Sequence, residues 1–511
     1  MAVGVARRIT PEVGQGESSR RVFLELLAMI PPVVLAVLVL PTPMAVAAAL
    51  PAWLWVWKRP IRGLYIIFGA ALLLEEYALH FPDSLTDRTG FFENLNNSNS
   101  ALHGIPISPA ELVMLAAVLI WITSSISQRS LEFPKGPIGK AYIAFVVVLL
   151  FGELQGLAGG GSFLISLWEL RPQAYALVAF LLAGSLVRTR ADLIRMVGIF
   201  VVIVTLKGLI ADYRYLVTLH RDLNGIEAIM AHEESYFFAL FVVAALGVIL
   251  WSKNRRIQLA AIALAIIVGL GLDANHRRAG VLALTIGVAL FVVLAIRFDS
   301  VNRRRMVIGT VILVVVIGAF LITYWDHQSG VLGQLVRPFH SIVEPDTRDA
   351  SSNLYRQAED ANLLLTFRSS PIIGIGFGRP MFYAFHMADI SSLYPLWNYI
   401  PHNTLLWIGM RMGIFGFVAF FGLLAMATLQ ACRVARDTRD VLLRGVAIFA
   451  VVAIGMELAV GYVDLQLDMY RNLIFLGALL GVIHRLPTIA RDTETTLTPT
   501  VRPERIATRV V

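Results

Sequence analysis

Long apolar runs separated by short polar turns repeat along almost the whole chain. A helix crosses about 30 Å of hydrocarbon with about 20 mostly apolar residues, and runs of this kind are read at 22–40, 108–127, 141–157, 191–219 and 306–324. Further runs end in Trp53, Trp55 and Trp57, start near Gly63 and near Trp168, open at His232, and flank 273–280. The late spans begin at Pro401-His402 and cover 441–462 and 473–483. The pattern predicts an all-α, polytopic transmembrane bundle of about 12–14 spans.

One interval breaks the rhythm. Residues 325–401 are polar and glycine-bearing, and they form the longest connection between apolar runs. The expected organisation is a tail at 1–21, a bundle over 22–324, an external loop over 325–401, further spans over 402–486 and a tail at 487–511. Within the loop, Ser352-Asn353 reads as a helix cap, with Leu354, Ala358, Ala361 and Leu365 on one helical face lying on the membrane surface. Pro371 ends that helix.

Composition removes whole classes of function. The chain has 511 residues, 57% hydrophobic and only 15% charged, more apolar than a soluble domain hides. The single cysteine, Cys432, excludes an intramolecular disulfide and a cysteine metal cluster. A net charge of +8 is compatible with a nucleic-acid partner only if the basic residues share a soluble face. Instead roughly 29 of the 43 Lys and Arg fall on alternate short loops or the termini. No nucleic-acid partner is expected, and both termini are placed in the cytoplasm.

Several charges sit where that rule does not put them. Lys207 and Asp212 fall inside one span, where an internal pair or a polar cavity is implied. Arg411 lies deep in a late span, and Glu457 of the next span is a candidate partner. Arg171, in Trp168-Glu169-Leu170-Arg171-Pro172, and the adjacent Arg277 and Arg278 stand at outer helix mouths. An anchor or a salt bridge to Asp273 accounts for Arg277 and Arg278, as does anion capture by guanidinium groups whose paired donors fit phosphate oxygens. Arg356 precedes Glu359 and Asp360 at helical spacing, so an intrahelical ion pair and a ligand contact are both open.

Gly374, Gly376 and Gly378 alternate, which suits a plain turn or a backbone cradle for phosphate. His402 is read on the first turn of its helix, in line with Gly409 and Gly413, so that the imidazole caps a glycine stripe open to close helix packing. His232-Glu233-Glu234 lacks the second helical histidine of a metal site. Solvated loop carboxylates describe Asp83, Asp87 and Glu93.

The combination of Arg278-Ala-Gly-Val-Leu-Ala-Leu, Arg356 before Pro371-Ile-Ile-Gly374-Ile-Gly376-Phe-Gly378, and His402-Asn403 with Leu406, Gly413 and Gly416 resembles the O-antigen ligase and polymerase family, over roughly 270–425. The resemblance implies a bacterial cytoplasmic-membrane glycosyltransferase. It would move glycan from an undecaprenyl-diphosphate-linked donor to a glycan, lipid or protein acceptor at the outer face of the bilayer. It implies His402 as the group that activates the acceptor hydroxyl. Arg278, with Arg277, Arg356 and Arg171 as further candidates, would grip the diphosphate, with Asn403, Gly374, Gly376 and Gly378 in support. Neither metal nor other cofactor is expected. The chain departs from the family pattern at Arg411, where members carry Glu, and at Arg277, where they carry a small residue. Polymerase is slightly favoured over ligase, and a lipid-linked oligosaccharide flippase is the alternative from another class.

Overall fold

The structure is a computed structural model that describes residues 55–76, 86, 89–95, 107–129, 131–221, 228–299, 303–327, 330–392 and 394–497. The expected tail at 1–21, the span at 22–40, most of the next span, Asp83, Asp87 and the last residues of the C-terminal tail lie outside them. Pro60–Val511 forms one compact unit and Met1–Arg59 another, of which residues 55–58 are described as a helical turn.

All regular structure among the described residues is helical. In chain order the helices are α1 (Ile61–Leu73), α2 (Pro109–Ser127), α3 (Pro137–Ala158), α4 (Phe163–Leu186), α5 (Arg190–Tyr213), α6 (His232–Trp251), α7 (Arg255–Ala274), α8 (Arg278–Phe298), α9 (Arg303–Tyr324), α10 (Gly330–Val343), α11 (Thr347–Ser369), α12 (Thr404–Asp437), α13 (Val441–Val463) and α14 (Tyr470–Leu497). Local chemistry sets several starts. At Ser108-Pro-Ala-Glu111 the Ser108 hydroxyl accepts from the Glu111 amide and the Glu111 carboxylate accepts from the Ser108 amide, closing a capping box around a proline suited to the first turn.

Ten helices among the described residues are long and apolar enough to cross a membrane. The outward faces of α3 and α9 expose Ile143, Val147, Leu154, Val311, Val314 and Ile322, as expected where the solvent is lipid. At the centre stands α14, packed most closely on α4. Gly477 makes this possible, because a Cβ there would sit 2.1 Å from the Ala176 carbonyl oxygen. α1 starts two residues before the expected start near Gly63, and α14 runs well past 486 into the segment read as a tail.

The charges buried in the bundle are paired, though not as the sequence suggests. Lys207 is bound by Glu75 and, at 3.0 Å, by Glu234, rather than by Asp212. Glu234 also takes Arg471 at 2.7 Å, so α1, α5, α6 and α14 are tied by one ionic cluster. Arg411 pairs with Glu169 of α4 at 2.5 Å, both side chains fully buried, and donates to the carbonyls of Gly376, Arg379 and Tyr399. Glu457, the partner expected for Arg411, instead accepts from Asn472. Guanidinium has five donors, and partners from three segments engage both terminal nitrogens of Arg411, leaving its buried Nε without a hydrogen bond among the described residues.

The connection from α9 to α12 holds α10 and α11. Asp346, not Ser352 or Asn353, caps α11, its carboxylate accepting from the Asp349 amide at 2.7 Å. The apolar positions Leu354 and Leu365 face away from the protein, 66% and 41% exposed, while Glu359, Asn362 and Thr366 are buried against it. Asn362 shows why the polar side faces inward. Its side chain accepts from the amides of Ala384 and Phe385 and donates to the Phe385 carbonyl, pinning the following loop to the polar side of α11.

Candidate functional site

The helix that follows the long connection is interrupted. Thr404 begins α12, with Asn403 as its cap, so His402 lies just outside the helix rather than on its first turn. Gly413 adopts φ 62° and ψ −154° and splits α12 into a short leading segment and a long trailing one. The expected stripe from His402 through Gly409 to Gly413 therefore does not form.

The Gly374–Gly378 run fills the break. All three glycines have positive φ, between 72° and 82°. The amides of Ile375 and Gly376 donate to the carbonyls of Met410 and Arg411, and the Ile414 amide donates to Pro371. These bonds satisfy the backbone groups freed at Gly413. The Gly374 amide donates to Ser370, and the Gly378 amide to Glu169 at 2.6 Å. A phosphate cradle is thereby ruled out for these three amides, which are already engaged by the protein. The loop's role is architectural.

With α12 held in this way, His402 stands over α11. The Glu359 carboxylate accepts from the His402 backbone amide at 3.0 Å and lies 3.2 Å from Nδ1. Glu359 is 1% exposed and His402 26%. Next to it, Asn403 donates to Asp360 at 3.1 Å. Burial and the neighbouring Glu359 push the Asp360 carboxyl up, against the opposing Asn403 bond and Arg356. The ring of Tyr355 meets the imidazole edge-on, with centroids 5.8 Å apart.

The same face of α11 reaches the arginines. Asp349, Asn353, Arg356 and Asp360 recur at helical spacing. Arg278 donates to Asn353 at 3.2 Å and lies 3.5 Å from Asp349, so Asp273 is not its partner. From Asn353 to Glu359 the helix rises about 9 Å, which brings Arg278 and His402 into one mouth. Arg356 lies between them. Among the described residues its guanidinium has no hydrogen bond or ion pair, although the fields of Asp360, Asp464 and Arg278 reach it. The intrahelical pair is not made, because Glu359 is committed to His402.

The turn that delivers Arg277 and Arg278 is itself held under strain. His276 has φ 53°, uncommon for a residue with a side chain. The buried Asn275 fastens this turn to the start of α6, accepting from the Met230 amide at 2.8 Å and donating to Ser235 at 2.8 Å. At the start of α6, His232 meets Asp464 at 3.2 Å. Burial raises the Asp464 carboxyl, but His232, Arg356 and Arg277 outweigh it and hold the group well below the usual carboxylate range.

His232 and His402 line one cavity of about 260 Å³, with Trp168, Ile390, Tyr394, Leu396, Ile400, Leu465, Asp468, Met469 and Tyr470. Arg171 does not line it. It is buried behind the wall, 3.0 Å from Glu111 and 2.9 Å from Asn94, with its guanidinium over the Trp168 ring. Sequence reasoning missed Glu359, Asp464 and Asp468 as members of this site. Asp464 and Asp468 border helix ends and Glu359 lies in the middle of α11, positions too common for carboxylates to single them out.

Residues 263–421 match the model of a protein family described as O-antigen ligase. No curated protein matches the chain. The matched segment contains Arg277, Arg278, Arg356, Glu359 and His402, the basic and acid–base part of the mouth just described, and stops before Asp464 and Asp468. Over residues 263–421 this multi-pass membrane protein is thus similar to the O-antigen ligase family, which supports placing the chain in the O-antigen ligase and polymerase family.

Proposed function

We propose that the protein transfers glycan from an undecaprenyl-diphosphate-linked donor to an acceptor hydroxyl at the outer face of the bacterial cytoplasmic membrane, with chain polymerisation favoured over ligation to a lipid core. The observation that carries the reading is the pairing of His402 with buried Glu359 beside Arg278 and the unpaired Arg356. A carboxylate on Nδ1 fixes the tautomer that leaves Nε2 as the basic nitrogen. Nε2 of His402 takes the proton of the acceptor hydroxyl as its oxygen bonds to the anomeric carbon, and the bond from that carbon to the diphosphate oxygen breaks. Negative charge gathers on the departing diphosphate, where Arg278 and Arg356 offer fixed donors. Arg277 adds positive potential at the same mouth, and Asn403 keeps His402 at a fixed height by capping α12.

The test is glycan transfer in proteoliposomes supplied with a native pool of undecaprenyl-diphosphate-linked oligosaccharides. Wild type is expected to lengthen or transfer glycan, and His402→Ala to insert normally without turnover. Product length distinguishes polymerisation from ligation. Movement of intact lipid-linked glycan across the bilayer without a new glycosidic bond would replace this reading with a flippase.

A further inference from the structure

The cavity beside His402 carries more than the transfer reaction uses. Its third polar group is Asp468, at the end of the single 3-10 turn Leu465–Asp468 that links α13 to α14. Asp464 at the front of that turn is spent on His232 and on the turn's own Leu465 amide. Asp468 is different: it is 8% exposed, it lines the cavity, and its Oδ1 is buried with no hydrogen-bond partner. An unpartnered buried carboxyl oxygen is costly, which points to a ligand group that completes it.

The remaining walls indicate the chemistry of that ligand. Trp168, Tyr394 and Tyr470 surround the cavity with aromatic rings, and Ile390, Leu396, Ile400 and Met469 complete an otherwise apolar lining. Flat apolar walls with one carboxyl and two imidazoles suit a ring that is apolar on its faces and hydroxylated around its rim. At about 260 Å³ the space falls just under the range of drug-sized ligand sites, about 300–1,000 Å³, which suits a single sugar ring. Phosphate is a poor occupant. Burial, with the Glu169 and Glu76 carboxylates and against Arg411, pushes the Asp468 carboxyl well above its ordinary range, the direction that disfavours a second anion beside it.

We infer that this cavity is the acceptor-sugar subsite, in which Asp468 binds a hydroxyl of the acceptor ring while His402 faces the neighbouring hydroxyl that attacks the donor. The inference rests on the glycosyl-transfer reading and adds to it the residues that hold the acceptor ring, Asp468 and Trp168, both outside residues 263–421. Asp468 thereby sets acceptor recognition, and Trp168 supplies the stacking face.

The experiment uses the full chain in proteoliposomes. The native lipid-linked oligosaccharide pool is the donor, and soluble oligosaccharides released from that pool by mild acid are the titrated acceptor. Asp468→Ala and Trp168→Ala are expected to raise the acceptor KM about tenfold with the donor KM little changed. Asp468→Asn, which keeps a donor and an acceptor atom, should recover most of the loss. Saturation-transfer NMR on the His402→Ala protein provides a second measure: acceptor ring signals should appear, and should vanish when Asp468→Ala is added. Wild-type transfer with an unchanged acceptor KM in Asp468→Ala, or retained NMR signals in the double variant, would overturn the subsite and leave the transferase reading intact. No transfer by wild type would overturn both.

Discussion

Glu359 holds His402 at two atoms, the backbone amide at 3.0 Å and Nδ1 at 3.2 Å, across a sequence separation of 43 residues. The grip sets both the position of the main chain and the rotation of the ring. Glu359→Gln keeps an acceptor for the amide but removes the charge that stabilises a protonated imidazole. Its kcat in glycan transfer should fall about 10²-fold, with the donor KM nearly unchanged. A fall in kcat matched by an equal rise in KM would assign Glu359 to substrate binding instead.

Arg278 and Arg356 stand on the same side of that histidine along one face of α11, the first tethered to the helix through Asn353 and Asp349 and the second without a hydrogen bond or ion pair among the described residues. Each Arg→Ala variant should slow single-turnover transfer about 10²-fold or more. Lys should rescue Arg278 poorly, since an ammonium does not reproduce the paired donors. Thermal stability should hardly change in Arg356→Ala, because no bond within the protein is lost.

The Glu169–Arg411 pair makes the opposite prediction. Both side chains are fully buried, so removing one partner strands a charge. Arg411→Leu should destabilise the detergent-solubilised protein by about 3–5 kcal/mol. Arg411→Leu combined with Glu169→Gln should recover part of that, as read by fluorescence-detected thermal unfolding.

Two glycines with nearly the same φ separate strain from packing. Gly376 (φ 82°) would place a Cβ 2.2 Å from the Gly156 backbone nitrogen, whereas Gly160 (φ 83°) has open space around it. Gly160→Ala should cost about 1–2 kcal/mol, the left-handed penalty alone. Gly376→Ala should abolish folding of the loop and with it activity, measured by protease protection of 371–401.

His276, in the turn before the arginines, lowers stability in acid. Burial, reinforced by Arg337, lowers its pKa from 6.5 to about 4. The unfolded chain therefore takes up a proton between about pH 6.5 and 4 that the folded protein refuses, so stability falls as pH drops through that window and levels off below it. A Tm-against-pH curve should flatten there in His276→Asn.

The hydropathy pattern was enough for the bundle, because the cost of unpaired backbone in hydrocarbon leaves few alternatives to helix. His402 and Arg278 were also legible as residues, being polar groups at the ends of apolar runs, and Arg356 as a charge inside the polar connection between them. Their partners were not. Glu359 had a local candidate in Arg356, and Glu457 looked the nearer match for Arg411. Which carboxylate wins depends on helix packing, and α4 reaches α12 from far away in sequence. The carboxylate beside His402 likewise comes from α11, not from the position of Arg411. The glycine run left a plain turn and a phosphate cradle both open for a related reason: spacing showed positive φ to be available but not that Met410 and Arg411 would need the amides of Ile375 and Gly376.

The break at Gly413 has a consequence for how the protein is made. Thr404–Met412 is too short to cross a bilayer by itself, whereas the part of α12 after Gly413 is long enough. The trailing segment can therefore leave the translocation machinery as an ordinary span, while the leading segment must wait for Pro371–Gly378 to supply its missing hydrogen bonds. Completion of the mouth around His402 is then a late step of biogenesis, and a lesion in the glycine loop should yield a protein that is inserted, abundant and inert.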